Sequence, residues 1–148
     1  MQNRHETDPI ITRLAQAGDV AAMLACDAYA QAHASRGDAV RAAVGKGHCQ
    51  VAMRAGQVAG YVLTHDDFFG YGFVSLVVVD SGQQRRGVGL RLLTAAEAAC
   101  QTGKLFTSTN QSNLAAQRLF ASAGFVRSGQ IDHLDEADPE LVYVKWCR

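Results

Sequence analysis

The stretch Phe73 to Gln101 restricts the fold more than any other part of the chain. Phe73 to Val79 is a continuous Val/Leu-rich run, which predicts a β-strand buried on both faces. It passes through the polar turn Asp80 to Arg86 into Gly87-Val88-Gly89, where a Leu- and Ala-rich helix begins and runs to Gln101. Glycine at such a turn tolerates unusual backbone angles and lets another group come close. The first amides of the helix have no partner within it and sit at its positive end. The turn is therefore a natural cradle for a phosphate or pyrophosphate, and Arg85, Arg86 and Arg91 add positive charge beside it. The plainer alternative is a strand-to-helix turn that simply needs glycine. Two nucleotide-binding patterns do not fit. No Gly-Lys-Ser/Thr ending is present, as a P-loop requires. The third glycine of a dinucleotide fingerprint would fall at Leu92.

The flanking sequence supplies the rest of an α/β domain. Ile10 to Leu14 reads as a first strand. Gly18-Asp19 starts a helix predicted to run towards Ala34, with a second helix over Ser35 to Val44. His48 to Arg54 and Val58 to Thr64 read as strands joined by the tight turn Ala55-Gly56-Gln57. An aromatic and acidic loop, His65 to Gly72, precedes the Val-rich strand. Gly103 stops the following helix, and Lys104 to Thr109 is a strand. Ser112 to Ala123 is a helix with Asn110 or Ser112 available to cap it and Gly124 placed to end it. Phe125 to Ile131 and Leu141 to Trp146 are the last strands, separated by the acidic loop Asp132 to Glu140. This order predicts one domain over residues 1–148, a mixed sheet with helices on both faces.

Bulk properties exclude several classes. With 48% hydrophobic and 19% charged residues, the chain is not disordered. Net charge is zero, so no global attraction to nucleic acid or an anionic membrane is expected. Cys26, Cys49, Cys100 and Cys147 form no metal-binding spacing, and no metal is expected; they read as reduced thiols. Met1 to Asp8 lacks the apolar stretch of a secretory leader, and no segment approaches the roughly 20 apolar residues of a membrane span. A cytoplasmic protein is expected.

With those elements in view, Gln84-x-x-Gly87-x-Gly89 after a Val-rich strand resembles the coenzyme A pyrophosphate loop of the GNAT acyltransferase superfamily. Asn113 to Phe125, an Asn opening a helix that a Gly-Phe pair follows, resembles that family's next segment. The resemblance implies a GNAT-like acyl-CoA N-acyltransferase fold whose two central strands splay apart around the thioester. It implies that Gln84, Arg85, Arg86, Gly87, Val88 and Gly89 hold the pyrophosphate, mainly through backbone amides. Val77 and Val79 would pair their backbone with the pantetheine arm, and a backbone amide near Val78 would polarise the thioester carbonyl. Asn113 would contact the cofactor near the second helix. The implied activity is transfer of an acetyl group from acetyl-CoA to a primary amine of a small molecule or peptide, in a ternary complex.

The chain departs from the family pattern in its proton-transfer groups. A tyrosine often stands four residues before the Gly of the Gly-Phe pair, to protonate the departing thiolate. Here that position is Phe120, which cannot donate a proton and would pack beside the pantetheine. An attacking amine must also lose a proton. The central strand offers only Ser75 as a polar side chain, so the base candidates are Asp67 and His65 first, then Asp66, Asp132 and His133. The acidic loop, with Asp66 and Asp67, could ring a site for a cationic amine, or be a solvated surface loop. Because Phe120 replaces an acid, an acyl-CoA-binding sensor with little transferase activity is the alternative reading. An exposed sheet edge could also support a homodimer.

Overall fold

The computed structural model describes residues 8–147; the polar segment 1–7 lies outside the described residues. Seven strands form one sheet: β1 (Ile10–Leu14), β2 (Cys49–Arg54), β3 (Gln57–Phe68), β4 (Tyr71–Val79), β5 (Lys104–Asn110), β6 (Val126–Ile131) and β7 (Glu140–Trp146). Their spatial order is β1-β2-β3-β4-β5-β7-β6. All neighbours run antiparallel except β4 and β5, which are parallel and joined by a helical crossover. The helices are α1 (Val20–Ala25), α2 (Ala28–Ala32), α3 (Ala34–Gly45), α4 (Val88–Ala99) and α5 (Leu114–Ser122).

Helices cover both faces, and each face has its own core. On one side α4 buries Val88, Leu92, Leu93 and Ala96, a one-sided stripe at helical spacing, against Ala52, Val62, Val74 and Leu105 of the sheet. Phe120 of α5 joins this cluster with Phe125 and Tyr143. On the other side Met23 and Val40 pack on Val51, Tyr61 and Leu63. Each fully buried aliphatic side chain contributes roughly 2 kcal/mol. Lys145 ties the first layer together: its Nζ pairs with Glu97 of α4 at 2.6 Å and donates to the Ala123 carbonyl at the end of α5 at 2.6 Å.

Three sequence expectations need correction. The helix expected to run from Gly18-Asp19 towards Ala34 is a 3-10 turn at Ala17–Asp19 followed by α1 and α2, broken at Cys26-Asp27. The break belongs to Asp27, which is 4% exposed. Its carboxylate caps α2 by accepting from the Tyr29 amide at 3.1 Å. It also accepts from the Tyr61 hydroxyl at 2.5 Å and from Arg36 Nη1 at 2.7 Å. These tertiary partners outweigh the helical propensity of an alanine-rich run. The hydroxyl of Tyr61 is pushed up by burial and by its bond to Asp27. Second, the His65–Gly72 segment is not a loop: β3 continues to Phe68, and Phe69 and Gly70 form a two-residue turn with φ of 52° and 82°. Third, β4 is not buried on both faces. Gly72 and Val74 are buried, Ser75 is exposed, and Leu76 to Val79 are half-buried, because the neighbouring strand leaves them.

Among the described residues no helix is long and apolar enough to cross a membrane. None of the described His, Cys, Asp and Glu residues gather in groups of three that could hold a metal ion.

Asp27→Ala should destabilise the fold by about 3 kcal/mol, because it strands the half-buried guanidinium of Arg36 and the buried hydroxyl of Tyr61. Tyr61→Phe should cost only about 1 kcal/mol. Urea unfolding midpoints check the ranking. A second pair is pH-dependent. Arg13 donates to Asp19 at 2.7 and 2.9 Å, and that bond holds the Asp19 carboxyl at about 2, below its ordinary 3.8. A depressed carboxyl stabilises the fold fully above its unfolded value and loses the effect as pH falls from there through about 2. Asp19→Asn should therefore lower the melting temperature at pH 7 and match the parent protein below pH 2.

Candidate functional site

The site is built where β4 and β5 part. They pair only at Gly72–Leu105, Phe73–Phe106 and Val74–Thr107. Beyond this, β4 runs on to Val79 and β5 to Asn110 with no ladder between them. Thr107 closes the apex: its hydroxyl, 1% exposed with its residue, donates to the Val74 carbonyl at 3.0 Å. On the opposite side, Leu63 pairs with Leu76 and Thr64 with Val74, which leaves Ser75 as the extra residue of a β-bulge. The bulge turns Ser75 outward at the apex, and its Oγ donates to the Leu63 carbonyl at 3.4 Å.

The space between the strands is a cleft of about 200 Å³. Ser75, Leu76 and Val77 of β4 face Ser108 and Thr109 of β5 across it, and Asn113, Leu119 and Phe120 of the α5 segment close one side. Past Val74, the edge of β4 facing the cleft has no strand partner. An extended ligand with amide groups can complete that edge as an added strand would.

The open end of the cleft leads to the turn before α4. Gly87 is the N-cap of α4, with φ 82° and no side-chain cap on the helix amides. A Cβ there would meet nothing within 4 Å, so glycine is needed for backbone angle and for access, not for packing. Arg85 is also left-handed, with φ 63°, a strained geometry for a residue with a side chain. Two residues on, the requirement reverses. A Cβ at Gly89 would lie 3.0 Å from Leu119 Cδ2, so glycine there lets α4 approach α5.

The structure brings Gln84 to Gly89, Val77 to Val79, Asn113 and Phe120 to the two ends and one wall of this region. Gln84, Arg85 and Arg86 are exposed, while Val88 and Gly89 are buried at the start of α4. Val77 lines the cleft, with Val79 on its own face of β4 and Val78 on the opposite face. The N-cap of α5 is Asn113, not Asn110 or Ser112 as expected: its Oδ1 accepts from the Ala116 amide at 3.1 Å, while Asn110 and Ser112 bond to carboxylates of the acidic loop. Phe120 is 5% exposed, with ring centroids 5.4 Å from Tyr143 and 6.1 Å from Phe125.

His65 and Asp67 do not line the cleft. His65 pairs with Phe73, on the closed side of the apex, and its ring stacks on Phe73 with centroids 5.2 Å apart. Asp67 lies against His65 Nδ1 through its carboxylate and, at 3.4 Å, through its backbone amide. The acidic loop lies near the other end of β5, where Asn110 pairs with Glu140. The two acidic groups are thus separated by the length of β5, about 17 Å from Leu105 to Asn110. Two loop carboxylates also have local duties. Asp138 accepts from the Ser112 amide and hydroxyl, and Asp135 accepts from Asn110 Nδ2.

No cysteine lines the cleft. Burial pushes the Cys26 thiol up to about 11 and those of Cys49 and Cys147 up to about 12. None of these three is a thiolate near neutral pH. Sequence reasoning missed Ser108, Thr109 and Leu119 as cleft residues and Ser75 as a bulge; a lone serine in a Val-rich strand was the one available signal. It also missed Arg54, whose position at a strand end before a hairpin turn carries no local signature.

A sheet split at a parallel pair, with an uncapped glycine turn at the mouth of the split, defines a protein that binds a phosphate-bearing cofactor with an extended amide arm. The sequence model of the acetyltransferase (GNAT) family matches residues 17–125, and the chain belongs to that family. Its members are acyl-CoA-dependent transferases that use acetyl-CoA as co-substrate. A GNAT-family acetyltransferase from Bacillus cereus ATCC 10987 superposes with a TM-score of 0.90 at 28% identity, over 95% of this chain and 99% of that one. The protein yncA of Salmonella typhimurium, solved with its cofactor acetyl-CoA, gives 0.74 at 22% identity over 94% of each chain. A ribosomal-protein-alanine N-acetyltransferase from Brucella melitensis gives 0.72 at 23% identity, over 92% of this chain and 99% of that one. No significant match is found among curated proteins.

The contrast between the two glycines is testable. Gly89→Val should cost about 2 kcal/mol by overpacking against Leu119. Gly87→Ala should cost about 1 kcal/mol, from backbone strain alone. Thermal melts should rank Gly89→Val below Gly87→Ala; equal losses would contradict the packing assigned to Gly89.

Proposed function

We propose that the chain is an N-acetyltransferase that moves an acetyl group from acetyl-CoA to a primary amine of a small molecule or peptide, by direct attack in a ternary complex. The observation that carries this reading is the unpartnered edge of β4 leading to the uncapped, left-handed turn at Gly87. The acetyl-CoA complex of yncA, of similar fold, supports it.

Acetyl-CoA supplies the thioester whose carbonyl carbon the amine attacks. The backbone amides from Gln84 through Gly89, Val88 included, bind the pyrophosphate at the positive end of α4, and Arg85 and Arg86 balance its charge. Val77 and Val79 offer backbone groups to the pantetheine arm. Asn113 contacts the cofactor beside α5, and Phe120 packs against the arm. A backbone amide near Val78 stabilises charge on the carbonyl oxygen.

Proton removal falls to His65, oriented by Asp67. A lysine-like amine has an ordinary pKa of about 10.4, so it must lose a proton before it attacks. With Nδ1 engaged by Asp67, Nε2 of His65 can accept that proton through water. The stacking partner Phe73 lies two residues before Ser75, about 7 Å along the strand, a span one or two waters can bridge. When the tetrahedral adduct collapses, the C–S bond breaks and the amide and CoA are released. No residue at Phe120 protonates the thiolate, and none is required: a thiol of ordinary pKa about 8.5 leaves adequately near neutral pH. The high thiol values of Cys26, Cys49 and Cys147 favour direct transfer over an acyl-cysteine intermediate.

Phe120 also favours a second reading, an acyl-CoA-binding module without efficient turnover. Calorimetric titration with acetyl-CoA tests both. Saturable binding that is lost in Gly87→Glu, with CoA release on a panel of primary amines, establishes the enzyme. Binding without release on any amine favours the module, and absence of binding rejects both. In the enzyme, His65→Ala and Asp67→Asn should each lower kcat by about a hundredfold or more with unchanged acetyl-CoA affinity. Phe120→Tyr should leave kcat within severalfold of the parent; a large gain would mean that the native site lacks a needed acid.

A further inference from the structure

Arg54, the last residue of β2, is 6% exposed. A guanidinium this deeply placed ordinarily has a carboxylate partner. Here Nη1 donates to Gln83 Oε1 at 3.0 Å and Nε to the Asp8 carbonyl at 3.4 Å, both neutral acceptors. No described carboxylate lies within ion-pair distance. Nη2 has no hydrogen-bond partner among the described residues, yet no buried side-chain nitrogen is both enclosed and unbonded. Nη2 therefore reaches open space.

That space is a hollow of about 450 Å³ between the start of β1 and the turn before α4, lined by Asp8, Ile10, Arg54, Gln84, Arg85 and Arg86. Among the described residues, three guanidiniums line the hollow with one carboxylate, that of Asp8. Arg85 and Arg86 have no ion-pair partner among the described residues. The hollow lies on the β1–β2 flank of the turn, whereas the cleft and Asn113 lie on its β5–α5 flank.

We infer that Arg54, together with Arg85 and Arg86 of the turn, forms a phosphate site on the β1–β2 flank, next to the pyrophosphate cradle at the start of α4 and sharing the two turn arginines with it. Its ligand is a phosphate monoester or free phosphate dianion. The geometry of the hollow suits a compact, highly charged group: the buried fork of Arg54 is fixed by Gln83, while Arg85 and Arg86 reach it from the exposed turn. The phosphate has two possible sources, the 3′-phosphate of the coenzyme, which rests on the function proposed above, or free phosphate acting alone.

Calorimetry on the full chain distinguishes them. Acetyl-CoA and 3′-dephospho-acetyl-CoA are titrated into the parent protein, Arg54→Gln and Arg86→Gln, and inorganic phosphate into each without cofactor. If the coenzyme is the source, the parent should prefer acetyl-CoA to the dephospho form by about tenfold, and Arg54→Gln should erase that preference. If free phosphate is the source, inorganic phosphate should bind the parent saturably and be lost in Arg54→Gln, with acetyl-CoA affinity unchanged. The exposed Arg86→Gln should weaken whichever response is seen, and it keeps the test open should Arg54→Gln fold poorly. Failure of acetyl-CoA to bind the parent would overturn the proposed function, while the inorganic phosphate titration would still decide the hollow. The inference is overturned if the dephospho form binds as well as acetyl-CoA and inorganic phosphate does not bind.

Discussion

The parting of β4 from β5 after Val74 is the constraint on which the rest of the site depends. A parallel pair is normally held along its length by evenly spaced backbone bonds. Here three rungs hold, and the hydroxyl of Thr107 binds the Val74 carbonyl at the last of them. Past that point the sheet has a gap in its middle, and backbone groups that would be paired in an unbroken sheet are offered to a ligand. The cost of leaving such groups unpaired in a protein interior is high. A cleft with these walls is therefore sensible only if something of matching backbone character enters it.

The parting also determines what surrounds the cleft. Because β5 diverges, α5 is carried away from β4 far enough to leave room, yet it remains against α4 through the contact of Leu119 with Gly89. Lys145 fixes the far ends of the same two helices through Glu97 and the Ala123 carbonyl. The glycine turn and the α5 wall are thus held in one rigid arrangement. On the other face, Asp27 breaks the first helical region and pins α2 and α3 to Tyr61 of β3. That strand pairs with β4, so both layers bear on the same strand.

The lining of the cleft bears on the chemistry. Among the described residues it holds hydroxyls, an amide and apolar groups, and no carboxylate, imidazole, phenol or thiol. The His65–Asp67 pair stands on the strand next to β4, behind the apex. Such a separation suits an amine that arrives from outside the cleft and meets the thioester at its apex. In the proposed reaction the base would work on the acceptor side, and the cofactor side would need only backbone groups, the positive end of a helix and arginines.

Sequence alone determined the class of fold, because the Val-rich strand, the glycine turn and the Asn-led helix are local patterns that few other arrangements satisfy. The positions of Gln84 to Gly89, Asn113 and Phe120 were legible for the same reason: each sits at a strand end, a helix start or a helix face marked by its neighbours. Tertiary structure decided the rest. The break at Asp27 depends on Tyr61 and Arg36, neither of which is adjacent to it in sequence. The bulge at Ser75 depends on the register of β3, and the half-burial of Val77 to Val79 depends on a partner strand that leaves. The separation of His65 and Asp67 from the acidic loop follows from the length of β5 between them. Arg54 meets Arg85 and Arg86 only because β2 and the turn before α4 end at the same edge of the sheet. Local sequence specifies which backbone shapes are cheap; pairing between distant segments decides which side chains share a space.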